Sequence, residues 1–230
     1  MDKIKNIIKY VIILGLIPVF VIGGMHVFEE RQFSFLIAAV ALLSVIPFFL
    51  SFERSKSDER HVVILAVMVA LASASRAIFV FLPAFKPVTA IVVLTAIYFG
   101  PMSGFICGSM SALVSNFFFS QGLWTPMQMF TWGIIGLIAG LICDPLKKSK
   151  PLLIIYGILT GVLFSLVMDV FTASFFAEGF SFEAYLLAVT ASFPTMATYA
   201  ASNVLFLIFL STQLEPLFKR IKTKYGLKSN

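Results

Sequence analysis

The sequence predicts an all-α fold, a polytopic membrane helical bundle of eight spans, and three observations predict it. Of the 230 residues, 60% are hydrophobic and only 12% are charged, and the mean hydropathy is +1.00. No soluble domain of this size could hide that much apolar surface, so the bilayer is its solvent. The apolar residues fall in runs at 7–27, 34–51, 61–82, 87–100, 103–119, 126–143, 152–177 and 184–213. The basic residues gather at the ends of those runs, which marks topology; the net charge of +6 is therefore no nucleic-acid footprint.

The N-terminal run resembles a signal peptide but reaches Val27 without a small-residue cleavage site, so it reads as a span. Together with 34–51 it makes an N-terminal pair over 1–57, ahead of a six-span core and basic tail over 58–230. The stretch Lys86–Asn116 organises that core. As one helix it would exceed the roughly 20 residues that cross a bilayer core. Gly100-Pro101 breaks it, because proline removes a backbone donor and restricts the residue before it. Two short helices follow, the second carrying Gly104 and Gly108 at the four-residue spacing that admits a close neighbour.

Charge placement supports the break. With eight spans and both termini cytoplasmic, fourteen Lys and Arg lie inside and only Arg31 and Lys86 outside. With 87–119 as a single helix the balance becomes six inside against ten outside, against the positive-inside rule. The chain is thus expected in the plasma membrane as a multi-pass protein, its basic tail after Glu215-Pro216 near the anionic inner leaflet. Glycines at 133, 136, 140, 157 and 161 predict close packing in the later helices. Cys107 and Cys143 sit inside apolar runs and read as small core residues.

Polar residues inside spans are costly, which makes them the candidate site. Arg76 lies two-thirds along its span, facing a cavity, a counter-charge or, by snorkelling, the interface. Asp169 is the one carboxylate well inside a span, and a pair with Arg76, a substrate contact and a proton relay are all open. Near the outer ends lie Asn116, Gln121, Trp124, Gln128, Trp132, Tyr185 and Tyr199, with Asn203 deeper and Lys86 in the short loop Pro83–Lys86. These could line a pocket opening outward, or anchor the helices at the interface. Ala66, Ala70 and Ala74 recur every four residues and make a smooth face on which another helix, within the chain or on a partner, can dock.

The absences exclude classes. There is no GxxxxGK[ST] loop, so the chain does not itself hold ATP through one. HExxH, GxSG and EExxxR are missing, and His26 and His61 are the only histidines, so no enzyme and no metal centre is expected.

The Ala66-x-x-x-Ala70 face, the Pro-containing loop after it and Tyr98-Phe99-Gly100-Pro101-x-x-Gly104 together resemble the substrate-binding S components of energy-coupling factor (ECF) vitamin transporters. The resemblance covers about 58–215 and leaves the N-terminal pair outside it. It implies a non-enzymatic subunit that captures a vitamin outside and topples to deliver it inward. It implies as partners a transmembrane coupling subunit, docked on Ala66 and Ala70, and two ATPase subunits that hydrolyse the ATP, with no cofactor held by this chain. The N-terminal pair is most similar to the cobalamin-specific branch, which makes cobalamin the expected ligand. The alternative is a self-sufficient proton-coupled carrier working through Asp169.

Overall fold

The computed structural model describes residues 2–20, 39–40, 42–43, 46, 56–122, 124–176 and 181–225, and among them all regular structure is helical. The elements are α1 (Asp2–Val11, running into a π turn at Ile12–Leu16), α2 (Lys56–Ile78), α3 (Val88–Phe99), α4 (Pro101–Phe119), α5 (Trp124–Leu141), α6 (Cys143–Lys148), α7 (Lys150–Phe176) and α8 (Phe182–Tyr225). Most of the expected 34–51 span, and with it most of the proposed N-terminal pair, lies outside the described residues.

Four helical stretches are long and apolar enough to cross a bilayer: Glu59–Ile78, Pro101–Phe119, Lys150–Ser174 and Phe182–Tyr225. The clearest departure from the expected row of similar spans is α3. Its 12 residues rise only about 18 Å, well short of the 30 Å core. Every one of them is buried, and α2, α4, α5 and α8 all pack against it. The run VTAIVVLTAIYF is therefore a central core helix wrapped by its neighbours. An all-round apolar helix suits protein interior as well as lipid, so composition alone does not separate the two.

The Gly100-Pro101 break is where the sequence places it. Gly100 takes φ 98°, a conformation glycine adopts without strain, and Pro101 opens α4 at its first position, where no backbone donor is lost. The chain reverses there, and α3 and α4 lie against each other.

Bilayers offer no hydrophobic drive between helices, so these helices associate through close contact of small residues. A Cβ on Gly104 would stand 2.6 Å from the Gly136 carbonyl oxygen, and the reciprocal Cβ on Gly136 would strike the Gly104 carbonyl. At Gly108 the Trp132 and Gly133 backbone closes in the same way. The second close pair is α7 on α8, where a Cβ on Gly161 would lie 2.5 Å from the Ala200 nitrogen.

The basic end of the bundle is closed by α8. Instead of a separate tail, the helix continues through Pro216 to Tyr225. Phe218 is 2% exposed and meets the Tyr98 and Phe99 rings at 5.3 and 5.1 Å. Lys222 Nζ donates to the Tyr98 carbonyl at 3.0 Å, satisfying one of the acceptors a helix end leaves open. Lys219, Arg220 and Lys224 remain exposed.

Because the α4–α5 contact is backbone on backbone, Gly104→Val is expected to lower stability by about 1–3 kcal/mol or more. Thermal unfolding in detergent reads this directly. Gly15→Ala, where a Cβ meets nothing within 4 Å, serves as the control and should change stability by less than about 1 kcal/mol.

Candidate functional site

The end of the bundle opposite the lysine-rich end brings together α2's last turn, the 79–87 loop, α4's last turn and α5's first turns. Arg76 anchors it and is 7% exposed. Its Nη1 donates to Asn116 Oδ1 at 2.9 Å and also to Ser115 Oγ. Asn116 Nδ2 in turn donates to Thr125 Oγ1 and to Gln128 Oε1, both at 2.9 Å. One amide thus joins α2, α4 and α5, with its oxygen and both its N–H groups engaged. Such full satisfaction is what makes a buried polar group tolerable.

The guanidinium also lies on aromatic faces. Its Cζ is 4.9 Å from the Trp132 ring centroid and 5.2 Å from that of Phe119. Each desolvated cation–π contact contributes on the order of 2 kcal/mol, which offsets part of the several kcal/mol that burying the charge costs. Trp132 is itself fixed: Nε1 donates to Thr89 Oγ1 of α3 at 3.3 Å, and Phe164 of α7 stacks on it at 4.9 Å with 21° between planes. Tyr199 of α8 continues the series, 5.0 Å from Phe164. Six helices, α2, α3, α4, α5, α7 and α8, therefore contribute to one tier of rings and polar groups.

Lys86 enters from the loop. Its Nζ lies 5.2 Å from the Phe119 centroid, the same ring that Arg76 faces. Burial, and then the neighbouring Arg76 charge, push its ammonium below the ordinary lysine value. The loop is held down on α8, where Ser202 Oγ donates to the Lys86 carbonyl at 3.2 Å and the Phe79, Phe85 and Phe206 rings cluster.

Of the residues singled out from the sequence, Arg76, Lys86, Asn116, Gln128, Trp132 and Tyr199 meet in this tier. The others sit apart from it. Asp169 accepts a hydrogen bond from Ser192 Oγ at 2.6 Å across α7 and α8, so the pairing with Arg76 left open by the sequence is not formed. Asn203 Nδ2 donates to Thr160 Oγ1 at 3.2 Å, also between α7 and α8. Tyr185 OH donates to the Leu166 carbonyl at 3.4 Å. Gln121 Nε2 donates to the Leu113 carbonyl at 2.9 Å, and Trp124 is half-buried at the start of α5.

Sequence reasoning missed Thr89, Phe119, Thr125 and Phe164. A signal existed for Thr125, which shares a helix face with Gln128 and Trp132. None distinguished Phe119 or Phe164 among 26 phenylalanines.

Ala66, Ala70 and Ala74 are all exposed along one side of α2. The opposite side is turned inward, with Leu65, Met68, Ala72, Ser73 and Arg76 buried.

Long apolar helices around a buried core, with a charged and aromatic tier at one end, define a helical multi-pass membrane protein. Residues 56–216 match the family model described as ECF-type riboflavin transporter, S component. The chain belongs to that family, which is one of transporter subunits and not of enzymes. It matches no curated protein and no solved structure.

The Asn116 bridge carries a direct test. Asn116→Leu leaves the buried Arg76 and Thr125 groups and the half-buried Gln128 short of partners and is expected to cost about 1–3 kcal/mol. A wild-type melting midpoint for that variant in detergent would show that the bridge contributes nothing.

Proposed function

We propose that this chain is the substrate-capturing subunit of an ECF-type importer, and that the tier around Arg76 and Trp132 holds a flavin at the outer face. The observation that carries this reading is the Trp132–Phe164–Tyr199 ring series set beside Asn116 and Gln128. Planar ring ligands bind between aromatic faces and are oriented by a few amide and hydroxyl groups at their edges. A flavin has that shape, with a flat tricyclic ring and a hydrogen-bonding edge. The riboflavin description of the family supports it, and nothing in the match favours the cobalamin expectation.

The mechanism follows from how the helices divide the work. The rigid α4–α5 and α7–α8 pairs hold the tier's geometry. The 79–87 loop closes over it from the side and brings Lys86. The exposed alanine side of α2 presents a smooth face to a coupling subunit, and partner ATPases supply the energy, in keeping with the absence of a GxxxxGK[ST] loop from this sequence. Reorientation of the whole bundle then carries the loaded site inward.

Asp169 meets a neutral serine, and no observation favours a self-sufficient proton-coupled carrier. A carrier of that kind would transport alone in liposomes and fail as Asp169→Asn.

The purified chain is expected to bind riboflavin and to quench its fluorescence. Trp132→Ala should weaken that binding at least about tenfold, since base-sized rings gain about 1–3 kcal/mol per stack. Absence of flavin binding would refute the substrate assignment. Separately, Ala66→Trp with Ala70→Trp should leave binding intact and abolish uptake when the coupling subunit and ATPases are supplied. Undiminished uptake would remove α2 as the docking face.

A further inference from the structure

We propose that the ligand held at this site carries a negative charge, a phosphate or carboxylate group, received by Arg76 and Lys86 beside Phe119. The inference rests on the reading of this tier as the substrate site and adds the ligand's charge.

Three observations lead there. Arg76 Cζ and Lys86 Nζ each lie 5.2 Å from the Phe119 ring centroid, so the two positive charges are at most about 10 Å apart, within about one Debye length at moderate salt. Neither has a carboxylate within ion-pair distance among the described residues, where the salt bridge found is Lys219 with Glu215 at the other end of the bundle. The one intramembrane acid among those residues, Asp169, is engaged with Ser192. Finally, Arg76 Nε is buried and has no hydrogen-bond partner, on a side chain only 7% exposed.

A protein that buries a guanidinium ordinarily pairs it, because neutral oxygens and ring faces compensate only part of the lost hydration. Here Ser115 and Asn116 occupy Nη1, and Nε is left over. A second cation nearby raises the cost further: burial first, and the Arg76 charge second, hold the Lys86 ammonium below its ordinary value. An anionic oxygen between the two would remove the repulsion and accept from the spare N–H. Arginine's planar fork is suited to the oxygens of phosphate and carboxylate, while lysine acts as a point charge beside it. A wholly neutral ligand would leave both cations uncompensated. For a flavin, the anionic form is its phosphate monoester, whose side chain extends from the ring.

The test uses the full chain in nanodiscs of neutral lipid and measures affinity by calorimetry for three matched pairs. These are riboflavin 5′-phosphate with riboflavin, biotin with biotinamide, and pantothenate with pantothenol. In the pair that binds, the anionic member should be at least about tenfold tighter. That advantage should narrow as ionic strength rises and shrink towards unity in Arg76→Gln and in Lys86→Met. Lys86 is half-buried in a loop, so its variant keeps the test open where Arg76→Gln fails to fold. A neutral member binding as tightly as its anion would overturn the proposal. So would an unchanged advantage in Lys86→Met, or no binding by any anionic member. Failure of the flavin assignment looks different: neither flavin binds, while another anion does.

Discussion

The structure depends first on backbone-to-backbone contact between α4 and α5. In lipid, apolar side chains gain little by leaving one apolar solvent for another, so the helices must touch closely to associate. Gly104 against Gly136 and Gly108 against Trp132 supply that closeness. They also set the register of the two helices. One consequence is local: with Gly108 beside Trp132, the last turn of α4 comes level with the first turns of α5. That is where Asn116 finds Thr125 and Gln128 at once. A register shift of one residue would carry the amide off both partners. The architecture of the glycines and the chemistry of the site are therefore a single constraint.

The central position of α3 is the second consequence. A helix of 12 residues cannot cross the bilayer by itself, but with α2, α4, α5, α6 and α8 packed on it, it need not satisfy lipid at all. Its first turn delivers Thr89 to Trp132. Its last turn offers the Tyr98 carbonyl to Lys222 and the Tyr98 and Phe99 rings to Phe218. The buried helix thus ties the Arg76–Trp132 end of the bundle to the basic end.

Much of this was legible in the sequence, and the pattern of what was not is physical. Gly100-Pro101 could be read because backbone chemistry there is local. Arg76 and Asn116 could be read because a polar group inside an apolar run is expensive whatever surrounds it. The face formed by Ala66, Ala70 and Ala74 could be read because helical spacing is a property of one element. Burial of α3 could not, since an apolar run looks the same facing lipid or protein. Thr89 could not, because threonine in a helix often bonds its own preceding turn, as Thr95 does to Ile91 and Thr131 to Met127. Only the neighbouring helix decides which threonine reaches across. Asp169 drew attention as a lone acid, yet its partner is a serine on another helix. Pairing between helices is information the linear pattern does not carry.

On the proposed reading, α2 acts on both halves of the function. Its exposed side carries Ala66, Ala70 and Ala74, and its buried side carries Ser73 and, one turn from the loop, Arg76. A helix transmits displacement along its length because its backbone hydrogen bonds hold it as a rod. A coupling subunit seated on the alanine face therefore bears on the guanidinium against Trp132 and Asn116 without an intermediary. Linkage then requires reciprocity: whatever factor docking changes in ligand affinity, ligand occupancy changes in docking affinity. Placing the ligand's cation and the partner's contact on one rigid element gives such coupling a short physical path. The tight α4–α5 and α7–α8 pairs, locked by backbone contact, form the frame against which α2 would move.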